Sequence, residues 1–129
     1  MDPNFLHVGN YLEVHGQVCE VLSISVIPDL PFIVTVKPLN RPDIEYHYAE
    51  ISELSPIELD YEWITKLGVA GQGINGISVK PMHSKPNIWG VYFHNKMGVC
   101  YLGKDVQYVH ELQNVLEVFW NKKIKIDNE

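Results

Sequence analysis

The stretch YVHELQN at residues 108–114 decides the fold, and it lies in an amphipathic segment from about Asp105 to Trp120. Asp105 is a suitable N-cap, so the segment is predicted to form a helix over residues 105–120. Apolar residues recur every three to four positions along it, which is typical of the buried face of a helix. These residues are Val109, Leu112, Leu116 and Phe119.

The polar residues of the same helix have a structural interpretation. His110, Gln113 and Asn114 fall on the adjoining face. Amides at such positions commonly satisfy backbone groups of a neighbouring loop, and residues 54–60 are one candidate. We therefore expect His110 to form a local hydrogen bond and the helix to be structural, although a functional role for it stays open.

Upstream of this helix the chain is read mainly as strands. A hairpin over residues 10–27 turns at His15-Gly16, with a bulge or change of buried face near Glu20. Alternating or β-branched runs predict further strands at residues 32–36, 44–49, 77–79, 88–94 and 99–102, and a final short strand at Ile124 and Ile126.

A short helix near residues 60–67 begins at Asp60, a good N-cap, and ends before Gly68. Its apolar residues Trp63, Ile64 and Leu67 share one face. The predicted fold is therefore α+β, with a curved antiparallel, SH3-like sheet, the short helix near 60–67 and the longer helix near 105–120. At 129 residues the chain is expected to be a single domain, 1–129.

Composition excludes several classes of protein. An apolar fraction of 46% indicates a globular chain, and a net charge of −6 argues against binding to long nucleic acids. The sequence shows no membrane-spanning run or secretory signal, so a cytoplasmic location is expected. Cys19 and Cys100 are far apart and each lies in an apolar run, so both are predicted to be reduced core residues.

No pattern of catalytic or metal-binding residues is present in the sequence. The six histidines lack metal-ligand spacing, and no nucleophile elbow occurs. GQGING at residues 71–76 matches G-x-G-x-x-G, but it follows a helix end and precedes a β-like segment, the reverse of a dinucleotide-binding unit. We therefore expect a protein that is not an enzyme and that uses no cofactor.

The insertion at residues 69–87 is the part of the chain that core building explains least. It is rich in glycine and proline and locally basic, so it could form a loop that receives an anionic ligand; a solvated surface loop is the alternative. Nearby aromatic residues could stack on a planar ligand while cations contact its phosphate. The predicted ligand-binding residues are Arg41, Tyr46, Tyr48, Lys80, His83, Lys85, Trp89 and Tyr92.

The YVHELQN stretch resembles the C-terminal Y-(V/L)-H-x-L-Q-N helix of small uncharacterised proteins from phages and prophages of gut Bacteroidetes. Residue Val115 departs from that pattern, since an aromatic residue is expected after Gln-Asn. The resemblance implies a phage-encoded accessory protein acting in the host cytoplasm. Such a protein could sequester a small anionic signal such as a signalling nucleotide, or inhibit a host defence protein. The alternative is a structural or replication-associated protein-protein interaction module.

Self-association is expected, as a dimer or a higher symmetric assembly. The chain has more aromatic and aliphatic residues than a small sheet with two helices can bury, and such a sheet leaves edge strands open. Light scattering at high micromolar concentration should return a multiple of the 14.8 kDa chain mass. A monomer mass under those conditions would contradict the prediction.

Overall fold

The computed structural model describes residues 6–25, 33–41, 43–48, 53–69, 76–82, 87–95, 98–121 and 123–126. These residues contain both strands and helices, so the α+β class is confirmed. The strands are β1 (Tyr11–Val14), β2 (Gln17–Ser25), β3 (Ile33–Pro38), β4 (Tyr46–Tyr48), β5 (Ile77–Pro81), β6 (Trp89–Asn95) and β7 (Gly98–Val106). The helices are α1 (Tyr61–Lys66) and α2 (Val109–Trp120).

The chain divides into two compact units, Met1–Ile57 and Glu58–Glu129. This division does not test the prediction of a single domain, because a compact unit need not fold alone.

The first unit contains an antiparallel sheet in the order β1-β2-β3-β4. The β1–β2 turn is at His15 and Gly16, which both have positive φ, as a tight hairpin requires. A register shift between Val21 and Ser23 provides the bulge that was predicted near Glu20. The described residues form no closed barrel, so the SH3-like curvature stays a prediction.

One face of this first sheet is packed. Directly opposed residues share a face in antiparallel pairs, and Leu12 lies opposite Cys19 while Val21 lies opposite Val36. All four are completely buried. Burial raises the pKa of the Cys19 thiol, because the low-dielectric surroundings disfavour the thiolate. Cys19 is therefore a core residue, as predicted.

In the second unit, local capping chemistry fixes α1. The Asp60 carboxylate accepts a hydrogen bond from the Trp63 N–H at 2.9 Å, as the sequence predicts for an N-cap. Gly68, with φ of +81°, ends the helix in the left-handed region that glycine adopts without strain. Trp63, Ile64 and Leu67 are all buried.

The sheet of the second unit has the order β5-β6-β7, with β6 at its centre. One residue, Val91, separates Gly90 from Tyr92 on β6, whereas residues 102–104 separate their partners Tyr101 and Asp105 on β7. The extra length is taken up by an irregularity that includes Gly103, with φ of +74°.

Helix α2 begins at Val109, so the predicted start at Asp105 is wrong. Asp105 and Val106 still pair with β6, and this pairing keeps them in β7. The helix N-terminus is instead stabilised by Glu111, whose Oε1 accepts hydrogen bonds from the backbone N–H groups of Gln107 and Tyr108 at 2.8 and 3.0 Å. The carboxylate also suits the positive end of the helix dipole.

The predicted buried stripe of α2 holds for Val109, Leu112 and Leu116, which are completely buried, but not for Phe119. Phe119 is 43% exposed and contacts the Phe93 ring at a centroid distance of 5.5 Å. It lies near the end of the helix, where less of the chain covers it.

Three further predictions are corrected in the second unit. Cys100 is exposed, because it lies near the start of β7 rather than under α2. Residues 123–126 form no strand; Ile124 is buried there, and its carbonyl accepts a hydrogen bond from Gln113 Nε2 at 2.8 Å. Gln113 therefore binds the C-terminal segment and not the 54–60 loop.

Truncation of the α2 core should destabilise the protein. Leu112→Ala or Leu116→Ala should each lower the free energy of unfolding by about 2–5 kcal/mol, since each leaves a cavity in a fully buried position. Val118→Ala on the same helix is the control, because Val118 is 80% exposed and its change should stay within about 0.5 kcal/mol. Urea unfolding measures both, and equal losses for the three variants would contradict the assigned helix face.

Candidate ligand-binding face

The second sheet carries most of the predicted site residues that the structure describes. Because directly opposed residues share a face, the β5–β6 and β6–β7 registers place one set of polar and aromatic side chains together. We call this set the tyrosine face. It consists of Ser78, Lys80, Gly90, Tyr92, His94, Val99, Tyr101 and Asp105.

Lys80 and Tyr92 form a cation-π pair on the tyrosine face. The Lys80 ammonium lies 5.9 Å from the centre of the Tyr92 ring, and the lysine is exposed. An ammonium at this distance is attracted by the negative face of the ring. Two of the predicted ligand-binding residues are thus brought into contact, with the cation still accessible to solvent.

A second tyrosine extends the aromatic surface across the sheet. The Tyr101 ring is 46% exposed and lies 5.4 Å from the Tyr92 ring, centre to centre, at an angle of 47°. The Tyr101 hydroxyl donates a hydrogen bond to Asp105 Oδ1. This hydrogen bond is the largest cause that raises the pKa of Tyr101, so the phenol keeps its proton at neutral pH.

Gly90 makes room for the Tyr92 ring. A Cβ atom at position 90 would lie 3.1 Å from Tyr92 Cε2, 3.2 Å from its hydroxyl oxygen and 2.9 Å from Met82 Sδ. The ring therefore folds back along its own strand and covers the glycine. Glycine weakens a central strand because it has no side chain to pack, and the aromatic ring supplies that cover.

Ser78 and His94 form a polar pair beside the tyrosines. Ser78 Oγ and His94 Nε2 are 2.5 Å apart, a hydrogen-bonding distance. Ser78 is only 1% exposed, so its hydroxyl is not presented to a substrate. The pair fixes the orientation of the half-buried imidazole and does not form a nucleophile site.

Three of the predicted ligand-binding residues, Arg41, Tyr46 and Tyr48, belong to the first unit. Arg41 is exposed and forms an ion pair with Asp43 at 3.8 Å. Tyr46 lines an open cavity of about 240 Å³ together with Val14, His15, Gln17 and Cys19. Tyr48 lies in β4 opposite Val34, and its side chain is not described.

The other predicted residues differ in their positions. Trp89 is 7% exposed, on the opposite face of β6 from Tyr92, and its ring meets Tyr61 edge-on at 4.9 Å. It therefore belongs to the packed face and is not part of the tyrosine face. His83 and Lys85 lie outside the described residues.

Sequence reasoning missed Gly90, His94, Tyr101 and Asp105 as members of the face. Alternation along β6 would have grouped Gly90 and His94 with Tyr92, since side chains two residues apart point the same way. Tyr101 and Asp105 could not be placed in the same way, because the irregular register at residues 102–104 is not visible in the sequence.

In the described part of the chain, no helix has both the length and the apolar character needed to cross a membrane. Among the same residues, histidine, cysteine and acidic side chains do not gather in groups of three or more that could hold a metal ion. No protein-family model matches the chain, and comparisons with curated proteins and with solved structures found no similar protein.

The close approach of Tyr92 to Gly90 predicts an energetic coupling between the two positions. Gly90→Ala should destabilise the protein by about 1 kcal/mol, because the added methyl group displaces the ring. In a Tyr92→Ala background the same change should be neutral or stabilising, since no ring is displaced and the strand loses a glycine. A double-mutant cycle by urea unfolding should therefore return a coupling of about 0.5–3 kcal/mol. Additive effects would show that the ring does not rest on Gly90.

Proposed function

We propose that the protein is a small, non-enzymatic binding protein that takes up a planar anionic ligand of the nucleotide type on the tyrosine face. The observation that carries this proposal is the exposed Lys80 ammonium beside the Tyr92 ring, which continues into the Tyr101 ring. A planar group can stack on tyrosine while a phosphate pairs with the lysine.

The insertion strengthens the proposal from the sequence side. Lys80 begins the basic run that continues with His83 and Lys85, so further cations follow the tyrosine face along the chain. On a chain with a net charge of −6, such a local concentration of positive charge favours a small anionic ligand over a polynucleotide.

The biological role follows from the resemblance to phage proteins. A phage-encoded protein that binds a signalling nucleotide in the host cytoplasm would act stoichiometrically, by sequestering the signal or inhibiting the defence component that uses it. Such a role needs tight binding and no turnover.

A protein-protein interaction module is the alternative function. It is favoured by the exposed apolar side chains at the end of α2, where Val118 is 80% and Phe119 43% exposed. Apolar side chains clustered on a surface are typical of interaction sites.

Binding should depend on the lysines. Thermal shift and calorimetry against nucleotides and cyclic dinucleotides should reveal a stabilising ligand, because a ligand at 100 times its Kd adds about 2.7 kcal/mol to the folded state. Lys80→Ala with Lys85→Ala should abolish binding with the fold intact, since each charge-assisted hydrogen bond is worth about 1.5–3 kcal/mol.

The matched control for this double variant is Lys66→Ala with Lys123→Ala. It removes the same charge from two exposed lysines that form ion pairs with Glu62 and Glu117. The control should bind like the unmodified protein. Equal losses in both variants would indicate a general charge effect, and full binding by the Lys80/Lys85 variant would place the site elsewhere.

A further inference from the structure

One row of the tyrosine face has opposite charges at its two ends. Lys80 on β5 lies opposite Gly90, and Gly90 lies opposite Asp105 on β7. Neighbouring strands are about 4.7–4.9 Å apart, so roughly 9–10 Å separates the backbone at the two charged residues. This separation is comparable with the long dimension of a nucleoside monophosphate, from the edge of its base to its phosphate.

The carboxylate at one end of this row can accept further hydrogen bonds. Asp105 is exposed, and its Oδ1 accepts the hydrogen bond from the Tyr101 hydroxyl. A carboxylate has about four lone-pair sites on two oxygens, so it can also accept two donors from a ligand. The Tyr101 phenol both orients the carboxylate and presents its ring for stacking.

We infer that the tyrosine face is selective for guanine nucleotides, with Asp105 as the specificity-determining residue; this inference rests on the proposed function. Guanine presents two adjacent donors, its N1–H and its 2-amino group, which match the two oxygens of a carboxylate. Adenine presents an acceptor at N1, which a carboxylate repels. In this arrangement the base stacks on Tyr101, Asp105 binds its donor edge and Lys80 meets the phosphate.

The first test uses the unmodified full chain and calorimetry with GMP, IMP, AMP and inorganic phosphate. GMP should bind at least about tenfold more tightly than AMP, because a bidentate hydrogen-bonded pair discriminates by about 1–3 kcal/mol. IMP, which keeps N1–H but lacks the amino group, should be intermediate, and phosphate should be weakest. Equal binding of GMP and AMP would overturn the inference but keep the proposed function. Absence of binding by all four, and by cyclic dinucleotides, would overturn both.

The second test uses variants of the carboxylate. Asp105→Asn should bring GMP to the affinity of AMP, because the amide offers one acceptor and one donor edge. Tyr101→Phe should reduce the preference for GMP but keep binding to both nucleotides, because the ring remains for stacking. Glu62→Gln, which removes the same charge from another exposed carboxylate of the same unit, is the matched control and should keep the preference. A preference for GMP that survives in a folded Asp105→Asn protein would overturn the role of Asp105.

A guanine-containing single-stranded hexanucleotide separates a free nucleotide from a polynucleotide as the ligand. It should bind more weakly than GMP, because the acidic chain repels the added phosphates. Tighter binding of the hexanucleotide than of GMP would overturn the assignment to a free nucleotide.

Discussion

The second unit depends on the pairing of β6 with a neighbour on each side. Because side chains alternate along a strand, this pairing directs Trp89, Val91 and Phe93 to one face and Gly90, Tyr92 and His94 to the other. The first face is closed by packing, with Val91 fully buried. The second face is left with polar and aromatic groups. A register slip of one residue would exchange the two sets, so the core and the candidate site are fixed by the same hydrogen bonds.

Several properties of the tyrosine face follow from one missing side chain. With any larger residue at position 90, the Tyr92 ring would be pushed away from the strand. With glycine there, the ring lies flat enough to meet the Lys80 ammonium, while its edge stays near Tyr101. A residue that weakens a strand by itself thus allows the contact that brings a cation next to an aromatic surface.

The parts of the fold that could be predicted are those with local causes. Asp60 caps α1 and Gly68 ends it, because capping depends on residues a few positions apart. The start of α2 depends instead on strand pairing: Asp105 has the chemistry of an N-cap, but Gly90 pairs with it and keeps it in β7. Likewise Trp89 and Tyr92 were both predicted to bind ligand, and only the register separates the buried ring from the accessible one.

The YVHELQN stretch shows why a recognisable motif need not mark a functional site. Glu111 holds the backbone N–H groups at the start of α2, and Gln113 binds the Ile124 carbonyl. His110 is 4% exposed and stacks on Tyr108 with an angle of 11° between the rings. Each of these polar groups already has a structural partner within the second unit, and little of His110 or Gln113 is accessible to a ligand. On the tyrosine face, by contrast, Lys80, Tyr101 and Asp105 are exposed, so a ligand can reach them without displacing the core.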